Sequence, residues 1–220
     1  MTIRAALFDL DGTLVDSLGD LTDAANHVRE VFSLPLLCEK DVRLNIGKGS
    51  RNLLQQILPG FSEADITRAL DMFLDYNRQH IAEKSRLYPG ILDTLNDLAS
   101  SHIMLGVISN KNEDLCHLLL HDLGINNLFE SVCGGDTYPE RKPSPLPLLK
   151  MAEKLGALPR ECVMIGDSIN DVESGLRATM RTIACSWGYG DMAELSGADM
   201  IVHAPAELGA AITLICDQRP

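Results

Sequence analysis

Ala5-Ala6-Leu7-Phe8-Asp9-Leu10-Asp11-Gly12-Thr13 carries an apolar run straight into two carboxylates and a glycine turn. Four consecutive apolar residues without in–out alternation read as a strand covered on both faces, as in a parallel sheet. Carboxylates at the end of such a strand are costly to bury unless they are paired, hydrogen-bonded or metal-bound. A chain that keeps two of them there, two positions apart, is using them.

Outward from this stretch the pattern recurs. The first run extends back to Ile3. Others lie at Ile103 to Ile108, Ser131 to Cys133, Cys162 to Ile165, Arg181 to Cys185 and Met200 to Val202. Amphipathic segments separate them. Leu115, Leu118, Leu119 and Leu123 share one helical face that Gly124 closes, and Ile169, Val172 and Leu176 share another. Alternating strand and helix predicts an α/β fold, a doubly wound parallel sheet with a Rossmann-like core. Right-handed crossovers then bring all strand C-termini to one edge, where ligands bind.

One interval breaks the rhythm. From about Asp16 to Arg86 the chain shows helical periodicity and no convincing strand. The apolar stripes are Leu18, Leu21, Ala25, Val28 and Phe32; Leu53, Leu54, Ile57 and Leu58; and Ile66, Ala69, Leu70, Phe73 and Ile81. Ser62 and Asp65 form a capping-box signal ahead of the third. About seventy strandless residues directly after strand one predict an inserted helical domain, and Tyr88-Pro89-Gly90 marks the return. The expected division is residues 1–15 and 87–220 for the core and 16–86 for the insertion.

The 220 residues allow one good-sized domain, or one carrying a smaller insertion, and 45% hydrophobic content is enough for a real core. With 19 basic and 31 acidic residues the net charge is −12, which argues against nucleic acid or an anionic membrane as the main partner. Six cysteines without a CxxC motif, several in apolar runs, read as buried free thiols of a reducing compartment. No signal peptide and no apolar run near the ~18 residues of a membrane span is visible, so the expectation is a soluble cytoplasmic protein. Oligomeric state is not legible.

Four positions fall at or just after predicted strand ends: Asp9 with Asp11, Ser109 with Asn110, Lys142, and Asp167 with Asp171. Each has an ordinary reading. Asp11 forms turns, Asp167, Ser168, Ser109 and Asn110 are favoured helix N-caps, and Lys142 between Arg141 and Pro143 is a solvated loop lysine. Their convergence on one crevice is the stronger signal. One aspartate of the Asp9–Asp11 pair can attack while the other handles a proton. Ser109 and nearby backbone N–H groups can hold phosphate oxygens at a helix start.

If the strands before Asp9 and Asp167 are neighbours, three or four carboxylates crowd a site with a single lysine. Two like charges ~4 Å apart repel by roughly 4 kcal/mol at an effective dielectric near 20. A hard divalent cation relieves this, so a Mg²⁺ site is expected at Asp9 and Asp167, completed by the Asp11 backbone carbonyl.

Taken together, Asp9-Leu10-Asp11-Gly12-Thr13, Ser109-Asn110, Lys142-Pro143 and Gly166-Asp167 with Asp171 resemble, in order and over essentially the whole chain, the motifs of the haloacid dehalogenase superfamily of phosphotransferases. The helical insertion resembles that family's mobile cap. Ile46-Gly47-Lys48-Gly49, Tyr88-Pro89-Gly90, Ser109-Asn110-Lys111, Gly134-Gly135-Asp136, Lys142-Pro143-Ser144-Pro145, Pro147-Leu148-Leu149 and Trp187-Gly188-Tyr189 look most like its phosphoglycolate phosphatases. The resemblance implies that Asp9 attacks phosphorus and becomes an aspartyl-phosphate. Asp11 would protonate the leaving alkoxide and then activate water. Ser109, Asn110 and Lys142 would hold the phosphoryl oxygens, and Asp171 would support the Mg²⁺ site through water or a neighbouring ligand.

In the cap, Gly47-Lys48-Gly49-Ser50-Arg51 is a flexible turn opening a helix. Its Lys48 or Arg51 would read the non-phosphate end of the substrate, or form only a solvated basic surface. The leading expectation is a Mg²⁺-dependent phosphomonoesterase for a small phosphorylated metabolite, 2-phosphoglycolate first. A pyrophosphatase, a broad sugar phosphatase and a β-phosphoglucomutase-like phosphomutase share the same core. A phosphate-binding regulator without turnover is the non-enzymatic alternative. Dehalogenase and phosphonatase chemistry fit less well, because those relatives usually lack the second aspartate, and Asp11 is present.

Overall fold

The computed structural model describes residues 2–217; Met1 and residues 218–220, the ends of the expected core segments, lie outside the described residues. The chain runs β1 (Ala5–Phe8), β2 (Val15–Asp16), α1 (Leu18–Val31), α2 (Glu39–Arg43), α3 (Ser50–Ile57), α4 (Glu63–Gln79), β3 (Arg86–Leu87), α5 (Ile91–Ser100), β4 (Met104–Ile108) and α6 (Glu113–Asp122). It continues through β5 (Ser131–Cys133), α7 (Leu146–Lys154), β6 (Cys162–Gly166), α8 (Ile169–Arg177), β7 (Arg181–Cys185), α9 (Met192–Leu195), β8 (Met200–Val202) and α10 (Leu208–Asp217).

Six strands form one parallel sheet in the order β5-β4-β1-β6-β7-β8. β1 is central and fully covered. Ala6 and Phe8 face a core shared with α5, α6 and α10, while Ala5 and Leu7 face a second core with α7. Burial on both faces is why these strands read as unbroken apolar runs. Each fully buried Leu or Phe contributes roughly 1.5–3 kcal/mol relative to exposure.

The helices α1 to α4 bury Leu21, Ala25, Val28, Leu53, Leu54, Ile57, Ile66 and Phe73 in a core of their own. Ser62 and Asp65 do form a reciprocal cap on α4, with Asp65 N donating to Ser62 Oγ at 3.2 Å. The interval is not wholly strandless. Val15 and Asp16 pair antiparallel with Leu87 and Arg86 in a two-residue ribbon that joins the insertion to the sheet. Asp20, buried in α1, ties the two ends further by accepting from Lys84 N, Ser85 N and Ser85 Oγ.

α8 departs from the expected apolar face. Val172 is buried, but Leu176 is 48% exposed, and the buried residues of the helix include Asn170, Asp171 and Ser174. The helix turns polar residues inward because its N-terminus abuts the acidic crevice. Cys116, Cys133, Cys162 and Cys185 are buried free thiols, and Cys38 is an exposed one. Among the described residues no helix is long and apolar enough to cross a membrane.

Candidate active site

β1 lies between β4 and β6, where connections diverge to opposite sides of the sheet, the usual ligand position in an open α/β fold. The loops leaving the C-terminal ends of these strands carry Asp9 and Asp11, Ser109 to Lys111, and Asp167. Lys142 enters from the segment between β5 and α7.

Asp9, Asp167 and Asp171 are all buried, and each offers a carboxylate oxygen within 4.8 Å of the others. Lys142, 3% exposed, donates from Nζ to Asp171 Oδ1 at 2.6 Å and to the Ile108 carbonyl at 2.6 Å, and lies 3.0 Å from Asp9 Oδ1. Asp9 Oδ1 also accepts from Leu10 N at 2.7 Å. Both bonds fall on Oδ1, which leaves Oδ2 as the oxygen available for chemistry. Asp167 accepts from Thr13 Oγ1 on Oδ1 and from Tyr189 N on Oδ2, each at 2.7 Å. Gly12, at φ +89°, permits this approach, because a Cβ there would lie 2.4 Å from Asp167 Oδ2. Asp171 Oδ2 also caps α8, accepting from Ser168 N at 3.0 Å.

Burial pushes the Asp9 carboxyl up to about 8 against the pull of Lys142, and pushes Asp167 up to about 6. Burial also opposes the charge on Lys142, but Asp171 and Asp9 outweigh it and hold the ammonium protonated. Ionised together, three carboxylates against one ammonium would leave two negative charges in a buried site. That donor set is all hard oxygen, and it fits a divalent cation such as Mg²⁺.

The Asp11 carboxylate stands apart from this triplet. Ser17 Oγ donates to its Oδ1 at 2.6 Å, and Lys111 Nζ approaches Oδ2 at 3.2 Å. Lys142 is therefore not the only cation at the crevice, as the sequence suggested. Lys111 is 7% exposed, and its long chain reaches across from the β4 loop. The signal that could have found it was its place two residues after Ser109.

Asp9 and Asp11 line one cleft with Ser109, Asn110 and Lys111 on the core side. Leu21, Asn45, Ile46, Gly47, Ser50, Leu53 and Phe73 close it from the insertion. Ser109 is buried, and its Oγ accepts from Lys111 N at 3.3 Å. Asn110 Nδ2 donates to the Gly47 carbonyl at 2.8 Å and to the Lys142 carbonyl at 3.0 Å, and Asn170 Nδ2 reaches the same Gly47 oxygen at 3.3 Å. The insertion is thus seated on the core through amides from the β4 loop and the first turn of α8.

Of the three cap residues named from sequence, Gly47 lines this cleft. Lys48 is exposed and lines a neighbouring opening that also holds Asp9, Asp167 and Tyr189. Arg51 is not brought to either, because Glu63 and Thr67 on α4 take its guanidinium, each at 3.0 Å. Gly134-Gly135-Asp136 supports the site indirectly, as Asp136 Oδ1 caps α6 by accepting from Glu113 N at 2.8 Å.

The parallel sheet carries its acidic loops at the switch point, with the helical insertion beside them. The family model of haloacid dehalogenase-like hydrolases matches residues 6–185, and the chain belongs to that family. It is a phosphatase, similar to proteins named phosphoglycolate phosphatase. That of Chromobacterium violaceum is 40% identical, over 94% of this chain and 95% of its own. That of Nitrosococcus oceani is 39% identical, over 83% and 84%. The crystal structure of a predicted phosphoglycolate phosphatase from Haemophilus somnus superposes with a TM-score of 0.91 at 29% identity, covering 96% of this chain and 98% of that one.

Proposed function

We propose that the chain is a Mg²⁺-dependent phosphomonoester hydrolase acting on a small organic phosphate, 2-phosphoglycolate first, through an aspartyl-phosphate on Asp9. The observation that carries this reading is the buried Asp9–Asp167–Asp171 triplet with one lysine, beside a second aspartate on the same cleft. The names of the similar phosphatases support the choice of substrate.

Asp9, Asp167 and the Asp11 backbone carbonyl would hold the Mg²⁺, with Asp171 alongside. When bound, the cation neutralises the clustered carboxylates and the charge of the phosphoryl group. Asp9 Oδ2 attacks phosphorus, and the bond from phosphorus to the alkoxide breaks. A protonated Asp11 gives its proton to the departing oxygen. Asp11 then takes a proton from water, whose oxygen attacks phosphorus, and the bond to Asp9 Oδ2 breaks to release phosphate. The Ser109 hydroxyl and the Lys142 hydrogen now directed at Asp9 hold phosphoryl oxygens.

Lys111 is the cation on the wall of the inner cleft, and we infer that it, ahead of Lys48 and Arg51, reads an anionic substrate tail. Lys111→Met is expected to raise KM for 2-phosphoglycolate by about tenfold or more, the worth of a charge-assisted hydrogen bond. Ethyl phosphate, which lacks the carboxylate, should be hydrolysed with KM unchanged. Equal effects on both esters would rule out carboxylate reading.

Turnover of para-nitrophenyl phosphate, lost in EDTA and restored by Mg²⁺, tests the hydrolase reading, and a panel of small phosphates that includes pyrophosphate and sugar phosphates ranks substrates. Turnover that persists at full rate in EDTA would remove the metal from the reading.

A further inference from the structure

The segment Trp187-Gly188-Tyr189 has no part in the chemistry above, yet it touches three parts of the site. Tyr189 N donates to Asp167 Oδ2 at 2.7 Å. Its phenolic oxygen accepts from Ser17 N at 2.7 Å and donates to Asp16 Oδ1 at 3.0 Å. Ser17, 1% exposed, passes the contact on through its own hydroxyl to Asp11 Oδ1. From the insertion, Arg43 at the end of α2 donates from Nη2 to the Gly188 carbonyl at 2.8 Å and from Nε to the Tyr189 carbonyl at 3.3 Å. Its guanidinium lies 6.0 Å from the centre of the Tyr189 ring, within cation–π range. The segment is pressed against Asp167, since a Cβ on Gly188 would come 2.3 Å from the Asp167 Cβ. Trp187 Nε1 anchors it to the Thr13 carbonyl at 3.1 Å.

Asp16 ends β2 and Ser17 follows it at the start of α1, so both lie on the segment by which the chain enters the insertion. A rotation of the insertion about the β2–β3 ribbon displaces Arg43 from the Gly188 and Tyr189 carbonyls and moves Ser17 against the phenol. Tyr189 is the point at which insertion, linker and both aspartate loops meet.

We propose that Tyr189 is a positioning residue that makes proton transfer by Asp11 conditional on the helical insertion being seated on the core. Arg43 holds the 187–190 loop, the Tyr189 phenol holds Ser17, and Ser17 holds the Asp11 carboxylate. A proton donor must lie within hydrogen-bond reach of the leaving oxygen, and a displacement near 1 Å costs up to about a hundredfold in rate. The seated insertion therefore completes the acid–base geometry as well as covering the cleft. This inference rests on Asp11 being the proton donor of the proposed hydrolase.

The leaving group supplies the test. An alkoxide needs a proton to depart and para-nitrophenolate does not. Tyr189→Phe removes only the hydroxyl. It is expected to lower kcat/KM for 2-phosphoglycolate, or for whichever alkyl phosphate of the panel the wild type turns over fastest, by about tenfold or more. For para-nitrophenyl phosphate the loss should stay under about threefold. Arg43→Met, on the exposed side of the loop, should reproduce the selective loss, and the double variant should lose no more than the worse single one. Wild-type kinetics in Tyr189→Phe, equal losses on both esters, or additive losses in the double variant would each overturn the coupling while leaving the hydrolase reading intact. A wild-type protein inactive on every ester would overturn both.

Discussion

Asp9→Asn is expected to abolish turnover, with kcat falling on the order of 10⁴-fold or more. The amide is a poor nucleophile at the position of Oδ2 and a weaker ligand for a cation. Its effect on stability runs the other way. Burial holds the Asp9 carboxyl up at about 8 and Asp167 at about 6, both above the unfolded value of 3.8. An acid whose pKa is raised by folding binds more protons folded than unfolded, so stability falls as pH rises from about 4 to about 8. In EDTA the wild type should lose melting temperature across that window. Asp9→Asn, with one titrating carboxylate fewer, should fall less and melt higher at pH 8. Activity is then exchanged for stability, as expected of a strained charge cluster kept for function. Retention of more than about 5% of the wild-type rate would contradict covalent catalysis by Asp9. A steeper fall of Tm with pH in the variant would contradict the electrostatic account.

Lys142→Met should carry the largest loss of stability at the site. Among the described residues the lysine is the one ammonium paired with Asp9 and Asp171, and all three groups are buried. Removing one partner of a buried ion pair costs about 3–5 kcal/mol, because the remaining charge is left uncompensated. For a chain of this size that is a Tm loss of roughly 6–20 °C, given about 2–4 °C per kcal/mol. Methionine keeps most of the side-chain volume, so the loss reports charge and not a cavity. Mg²⁺ should restore more stability to this variant than to the wild type, since the cation takes over the neutralisation. Urea unfolding with and without Mg²⁺ measures both effects. An unchanged midpoint in EDTA would mean that the carboxylates carry protons and need no lysine.

The strands were legible because burial on both faces leaves a plain record in the chain. Ala5–Phe8 and Cys162–Gly166 have no polar residue to confuse their period. The two-residue ribbon of Val15–Asp16 with Arg86–Leu87 was missed, since two residues cannot display a period and the pairing is set by partners seventy positions away. α2 escaped for the same reason, with one buried residue, Val42, in five. Leu176 was misassigned because helical spacing defines a face and not what that face meets. The inward side of α8 meets charge, so its polar residues are buried and Leu176 is left to solvent.

At the site, Asp9, Ser109, Lys142 and Asp167 could be named because each ends a strand or opens a loop whose place in a doubly wound sheet is predictable. Lys111 carries in the sequence only its place two residues after Ser109, because its partner Asp11 lies one hundred positions away in the chain. Arg51 carried the expected charge, but Glu63 and Thr67 on α4 compete for it successfully. Gly47 reads in the sequence as part of a flexible turn, and its carbonyl receives the Asn110 and Asn170 amides.

The order of residues alone determined the sheet, the helical insertion and the set of acidic loops, since apolar period, glycine turns and strand-end carboxylates are local properties. Tertiary structure alone decided which charge faces which: Lys142 between Asp9 and Asp171, Lys111 on Asp11, and Arg43 and Tyr189 joining insertion to core. Long side chains choose among distant partners by distance and desolvation, and neither quantity exists until the chain has folded.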